Sequence, residues 1–427
     1  MEYKETVKRC IAEFCRLLLG CVFIFSGVVK AIDPMGGAIK IGDYFTAFNL
    51  SFLQPFTVLA AFNLAALEFT LGICMLLGVY RRYVTFLVLL FMSLTTPLTL
   101  YLALFNPVSD CGCFGDALVI TNWQTFYKNI ILLVASICTF IYNQRLIQCY
   151  SFHVYWFVAL WAYVYVTGFA YRNYYHLPII DFRPYKVGVN IPLLMAVPEG
   201  APQDEYRYSF IYEKEGKQKV FGLENAPVDD STWTFVESKT ELIKQGYVPP
   251  ISTFHIYDNT DHEITDSLLN DSNPVFLLIA PRFAEAKDDR IDEINNIYDY
   301  ALEHGIGFYC ITGSSDEEVA EWSDNTGAEY SFLKADDVLL KTIVRSNPGL
   351  LLLRKGTILM KWHYNDVPKE EELKAVVDEC LAGNTNYESK EDARLTTNLF
   401  SFAVPLSLVW LYDLLRNRFR RKKKESK

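Results

Sequence analysis

The chain has 427 residues, 51% of them hydrophobic, and a formal net charge of −10. Between Cys10 and Tyr171 the apolar residues arrive in blocks of membrane-spanning length, about 20 residues per bilayer crossing. That distribution excludes an assembly of purely soluble domains.

Taken in chain order, helices are expected over 10–31, 53–80, 83–105, 123–142 and 149–171, with a sixth over 396–415 after the polar stretch 172–395. The first opens like a signal peptide, with Lys4, Lys8 and Arg9 before an apolar core. No small-x-small cleavage site follows, and the run continues into "VVKAIDPMGG", so it is expected to stay as an anchor. Lys4, Lys8 and Arg9, then Arg81 and Arg82, then Arg145, then the tail "RNRFRRKKKESK" fall on one side of a six-span arrangement. The positive-inside rule makes that side cytoplasmic, with both termini inside. Segments 32–52, 106–122 and 172–395 then lie outside, which in a bacterial cell is the periplasm across the inner membrane, where disulfides form and persist.

Of ten cysteines, Cys21, Cys74 and Cys138 fall within apolar helices and read as small packing residues. Cys10, Cys15 and Cys149 sit near the expected cytoplasmic ends as reduced thiols. In "NPVSDCGCFGDALVI", residues 106–120, Cys111 and Cys113 form a pair in an outside loop. The glycine between them tolerates the backbone of a small ring, and such a ring departs from relaxed disulfide geometry, which favours exchange over a structural bridge. A structural clip and a two-thiolate metal site are the alternatives, the latter short of further nearby His or Cys ligands, so no metal is expected. Glu68, in the middle of the second span, is the other informative residue: an intramembrane carboxylate either lines a polar functional site or is hydrogen-bonded within the bundle, to Asn63 or to a backbone carbonyl.

The long outside segment opens with a linker and a β-rich piece over 172–248, in which "EYRYSFIYEKEGKQKVFGL" alternates as a hairpin turning at Gly216. From 249 to 385 an α/β unit is expected. A strand in "ISTFHIYDN" and a buried one in "PVFLLIAP" precede an amphipathic helix carrying Ile291, Ile294, Ile297 and Tyr298 on one face. The strand "IGFYCIT", a helix capped by Ser315, two strands about a Lys355-Gly356 turn and a closing helix follow. Cys310 and Cys380 read as core residues, with a bridge between them as the lesser option. Residues 416–427 form a basic tail, which suits anionic lipid better than nucleic acid. His153 and the aromatics Tyr155, Trp156, Trp161, Tyr163 and Tyr165 of the fifth span fit packing and interfacial roles.

"FIFSGVVKAIDPMGGAIKIGDYF", the Glu68-x-x-x-Gly72 pattern with Gly78 after it, and "CGCFGD" together resemble the DoxX superfamily and its MauE-type branch, over about 10–145. The resemblance implies a four-helix membrane bundle over 1–148, to which 149–171 and 396–415 add two spans. It also implies a distant likeness to quinone-linked disulfide-generating membrane proteins, hence a membrane quinone as candidate cofactor. MauE-type proteins are associated with maturing the disulfide-rich enzyme methylamine dehydrogenase. This chain has Cys-x-Cys in place of Cys-x-x-Cys and shows no second cysteine pair in an outside loop of the bundle. Separately, "TFHIYDNTDHEITDSLL" and Pro348 make 249–385 resemble a thioredoxin-like domain of the TlpA/peroxiredoxin kind. Redox members of that group carry Cys-x-x-Cys after the first core strand, where this chain reads "APRFAEAKDD".

Two functions are therefore expected. One is a membrane thiol–disulfide oxidoreductase in which Cys111 and Cys113 exchange with a periplasmic protein partner and Glu68 lines an intramembrane polar site. The other is a non-catalytic membrane scaffold whose thioredoxin-like domain binds that partner.

Overall fold

A computed structural model describes residues 2–425 apart from 109, 229, 231, 245 and 383–386. The expected end of the α/β unit at 385 and the last two residues of the basic tail lie outside the described residues. Six helical segments among the described residues are long and apolar enough to cross a membrane: Glu5–Ile32, Ser51–Leu77, Arg81–Phe105, Asn122–Ile141, Phe152–Tyr175 and Ala393–Arg420. The protein is a multi-pass α-helical membrane bundle joined to an α/β domain.

The bundle is built from α1 (Glu2–Ile32), α2 (Pro34–Ala47), α3 (Thr57–Leu77), α4 (Arg81–Phe105), α5 (Asn122–Ile141) and α6 (Tyr155–Tyr175). In lipid there is little hydrophobic drive between helices, so small residues that let backbones approach decide which helices pair. Here α1 and α3 meet through Gly27 and Gly72. A Cβ on Gly27 would come within 2.5 Å of the Phe69 amide nitrogen, and one on Gly72 within 2.6 Å of the Ile24 nitrogen. Gly78 ends α3 in the left-handed conformation, with φ +66°, as the sequence suggests for its place after the second span.

The helix α2 is a departure from expectation, since the span between the first two membrane helices reads as a loop. Asp33 caps it, its carboxylate accepting the Gly36 amide at 2.9 Å, and Pro34 occupies the first turn. Asp-Pro before an apolar stretch is a recognisable helix start.

Beyond the bundle, α7 (Ile191–Met195) leads into an antiparallel sheet of β1 (Glu205–Lys214), β2 (Lys217–Gly222) and β3 (Thr234–Lys244) in the order β2-β1-β3. The hairpin turns at Glu215 and Gly216, both at positive φ. The α/β domain then follows as α8 (Thr265–Asn270), β4 (Pro274–Ala280), α9 (Ile291–Glu303), β5 (Gly307–Thr312), α10 (Asp316–Thr326), β6 (Ser331–Lys334), α11 (Asp337–Ile343), β7 (Gly349–Arg354), β8 (Thr357–His363) and α12 (Glu370–Leu381). The chain returns to the membrane in α13 (Tyr387–Glu425).

Its sheet has the order β6-β5-β4-β7-β8, with β4, β5 and β6 parallel and β7 and β8 antiparallel to their neighbours. The central β4, "PVFLLIA", is buried along almost its whole length, as a strand covered on both faces must be. Ser315 makes the expected capping box with Glu318, Lys355 and Gly356 form the expected turn, and the Asn347–Pro348 peptide is cis.

Two differences have local causes. "ISTFHIYDN" is not a strand: Tyr257 exchanges hydrogen bonds with Lys334 at one residue only. Immediately afterwards the Asp258 carboxylate takes the amides of Thr260 and His262 and turns the chain. The short β6 and α11 were not legible because four and seven residues carry too little periodicity to mark them. Cys310 and Cys380 both lie in the core between the sheet and its helices.

Candidate functional site

Cys111 and Cys113 occupy the connection between α4 and α5. The Asp110 carboxylate accepts the Gly112 amide at 2.9 Å, and Gly112 sits at φ +64° with the Lys40 stem packed where a side chain would project. That turn brings the two thiols to 3.0 Å. A disulfide needs about 2.05 Å, so bond formation asks for roughly 1 Å of movement.

Each side of the turn is gripped from below. Tyr44 of α2 donates its hydroxyl to the Cys111 carbonyl at 2.9 Å, and Lys40 pairs with Asp110 at 2.6 Å. On the other side Lys30, near the end of α1, donates to Ser26 Oγ, Glu68 Oε2 and the Cys113 carbonyl, each at 2.7 Å. Ser26 in turn donates to the same carbonyl at 2.7 Å. All three ammonium protons are used, and the Lys30 and Glu68 side chains are 10% and 7% exposed, so neither charge is left bare in the bundle.

The structure therefore brings Glu68 to the cysteine loop, a proximity that sequence separation concealed. Its partner is Lys30, not Asn63. Five residues along a helix rotate a side chain by about 140°, and Asn63 instead donates to the Leu59 carbonyl and accepts from Tyr163. Lys30 could have been found, since a lysine inside the first span is as costly in lipid as a glutamate in the second and calls for a counter-charge.

A cavity of about 300 Å³ opens beside the loop. Its polar lining includes Lys30, Tyr44, Glu68, Cys111, Cys113, Lys128 and Asn129, and its apolar lining includes Phe23, Leu64, Phe91, Met92, Leu98 and Leu132. Lys128 also lies 4.1 Å from the centre of the Phe114 ring, a cation–π placement. The two thiols are unequal. Cys113 is held well below the ordinary thiol range by the hydrogen bond from Cys111, opposed by burial and helped by the Lys128 and Lys30 charges. Cys111 is pushed up, because it supplies that hydrogen bond and is itself buried. The arrangement favours one thiolate per pair, on Cys113, the sulfur that leaves more readily when an outside thiolate attacks Cys111 of the disulfide.

In the α/β domain the segment after β4 buries Phe283. Phe283 stacks on Trp322 with centroids 4.7 Å apart, and its amide donates to Ser314. Among the described residues no group of three or more His, Cys, Asp or Glu side chains is arranged to hold a metal ion. The fifth-span aromatics hold the last helix: Trp161 donates to the Phe402 carbonyl and Tyr165 to that of Asn398.

Residues 8–142 match the family described as methylamine utilisation protein MauE, and residues 206–245 match a domain of unknown function, DUF8463. No curated protein matches the chain. A solution structure named as a protein disulfide isomerase, from Bacteroides thetaiotaomicron, is similar at 18% identity with a TM-score of 0.25, the alignment covering 33% of this chain and 91% of that one.

Proposed function

We propose that the protein is a membrane thiol–disulfide oxidoreductase serving protein maturation on the outer face of a bacterial inner membrane, with Cys111 and Cys113 as its redox pair. The observation that carries this reading is the pair itself: two thiols 3.0 Å apart lining a cavity that mixes polar and apolar side chains. The Cys111–Cys113 disulfide takes two electrons and two protons from a substrate dithiol, leaving a disulfide in the substrate and two thiols in the loop. Return to the disulfide requires a two-electron acceptor. A membrane quinone fits the cavity in chemical character: Phe91, Met92 and Leu98 would hold it by apolar contact, Lys128 and Asn129 would supply donors, and when bound it would accept the two electrons and two protons.

The remaining work falls to the chain. Lys30 and Lys128 favour the Cys113 thiolate, Glu68 keeps Lys30 in place, and Tyr44 and Ser26 fix the two carbonyls of the loop. Both termini belong on the cytoplasmic side. In support, Arg81 reaches the Gln144 and Leu146 carbonyls and Arg145 pairs with Glu5, so the basic residues of separate loops gather at the end of the bundle away from the cysteines.

Replacing Cys113 with serine in intact cells tests the proposal. Cys111 is then expected to accumulate in mixed disulfides with outside proteins. Fully alkylatable cysteines in the native chain, together with no trapped adduct in Cys113→Ser, would refute it.

A second reading is supported by the burial of Phe283 after β4: the α/β domain acts as a binding platform without thiol chemistry. In that case its excision should abolish maturation of the substrate while the loop can still be oxidised.

A further inference from the structure

We infer that Arg345, a residue of the α/β domain, is a positioning residue for the Cys111–Cys113 loop of the membrane bundle. The inference rests on the exchange reading for its chemical meaning, although the geometry stands apart from it. Arg345 follows α11, where its Nη1 donates to the Lys341 carbonyl at 2.7 Å. From there the guanidinium leaves its own domain. Its Nε lies 3.2 and 3.1 Å from the two Asp33 carboxylate oxygens, and its Nη2 lies 3.0 Å from Asp33 and 3.0 Å from Asp116. The Arg345 and Asp33 side chains are 9% and 12% exposed and that of Asp116 is 35% exposed, so the Asp33 pairing is enclosed and the Asp116 arm is partly open to solvent.

The two carboxylates are the ends of the site already described. Asp33 stands three residues after Lys30, which holds the Cys113 carbonyl, and it caps α2, which carries Lys40 and Tyr44 on the Cys111 side. Asp116 stands three residues after Cys113. One planar guanidinium thus ties the end of α1, the start of α2 and the exit of the cysteine loop to a single point, a task suited to its fork of donors and not to an ammonium. The backbone is cleared for it: a Cβ on Gly36 would lie 2.3 Å from an Asp33 oxygen and 2.9 Å from Arg345 Nη2. The membrane site is therefore composite, assembled with a side chain from the α/β domain.

The test uses the full chain in lipid nanodiscs and follows alkylation of Cys111 and Cys113 separately by peptide mass spectrometry, alongside the midpoint potential of the pair. Arg345→Gln is expected to speed Cys113 alkylation by about tenfold as two charge-assisted contacts to the loop region are lost, and to shift the midpoint potential. Arg345→Asp combined with Asp116→Arg keeps one cation among two carboxylates, and it should return the rate to within about twofold of the native one. An unchanged rate and potential in Arg345→Gln overturn the inference, as does a well-folded swap that behaves like Arg345→Gln. If the swap melts early, Arg345→Lys decides: a rate between native and Arg345→Gln supports positioning, and a rate equal to Arg345→Gln overturns it. Should the native pair fail to cycle between thiols and disulfide, the exchange reading falls, while the alkylation rates still settle what Arg345 does.

Discussion

The α4–α5 loop of the bundle and the segment after β4 of the α/β domain are built in opposite ways. After β4 of the α/β domain the space is occupied by Phe283 against Trp322, with the Phe283 amide donating to Ser314. In the α4–α5 loop of the bundle Cys111 and Cys113 are set among charges: Lys30 with Glu68, Lys40 with Asp110, and Lys128 at the cavity. An apolar plug needs only volume. Buried charges in a membrane bundle need counter-charges, and these come from several helices at once, so this site depends on tertiary packing far more than the plugged one does.

The largest expected effect tests that dependence. Lys30→Met strands Glu68 without a partner, which should destabilise the bundle by about 3–5 kcal/mol and lower the yield of folded chain. Adding Glu68→Leu should recover most of the loss in thermal unfolding. Failure of the double variant to recover would show that the ion pair does more than satisfy two charges.

Phe283→Ala is the matched change in the other region. It should cost about 3 kcal/mol in the stability of the α/β domain and leave Cys111 and Cys113 alkylation rates as they were. Altered rates would mean that the plug and the loop are coupled.

Gly72→Val forces α1 and α3 apart one turn from the Lys30–Glu68 pair. A loss of about 1–3 kcal/mol is expected, with faster alkylation of Cys113 as its carbonyl is released.

The smallest effect is electrostatic. Because the Cys111 hydrogen bond and, after it, the Lys128 and Lys30 charges hold the Cys113 thiol below its ordinary value, Lys128→Gln should move the pH midpoint of its alkylation upward by about half a unit. The sign follows from linkage: a thiol lowered in the folded state adds stability that is complete above its unfolded value and lost as pH falls through the folded one. A downward shift would contradict the assignment of Cys113 as the thiolate.

How much of this was legible in the sequence differs between the two regions in the same way. The α/β domain was readable because its information is local: β4 is an unbroken apolar run, Ser315 and Glu318 make a capping box three residues apart, and Lys355-Gly356 turns a hairpin. In the bundle the spans, Gly78, the Cys-Gly-Cys loop and Glu68 could be read from hydropathy and charge. Their meeting could not. Lys30 and Glu68 are 38 residues apart, Ser26 and Cys113 are 87 apart, and Arg345 and Asp33 are 312 apart, so only the packed chain shows that they share one site.

The central claim is that Cys111 and Cys113 are a working redox pair fed from the cavity beside them. The direct measurement starts from membranes carrying the full chain, reduced, freed of reductant and kept without oxygen, to which a short-chain quinone is added before thiol blocking and peptide mass spectrometry. The account predicts that the 106–120 peptide changes from two blocked thiols to a Cys111–Cys113 disulfide after quinone is added, and that Phe91→Trp, which fills the cavity, slows the change. Two blocked thiols before and after quinone would contradict it.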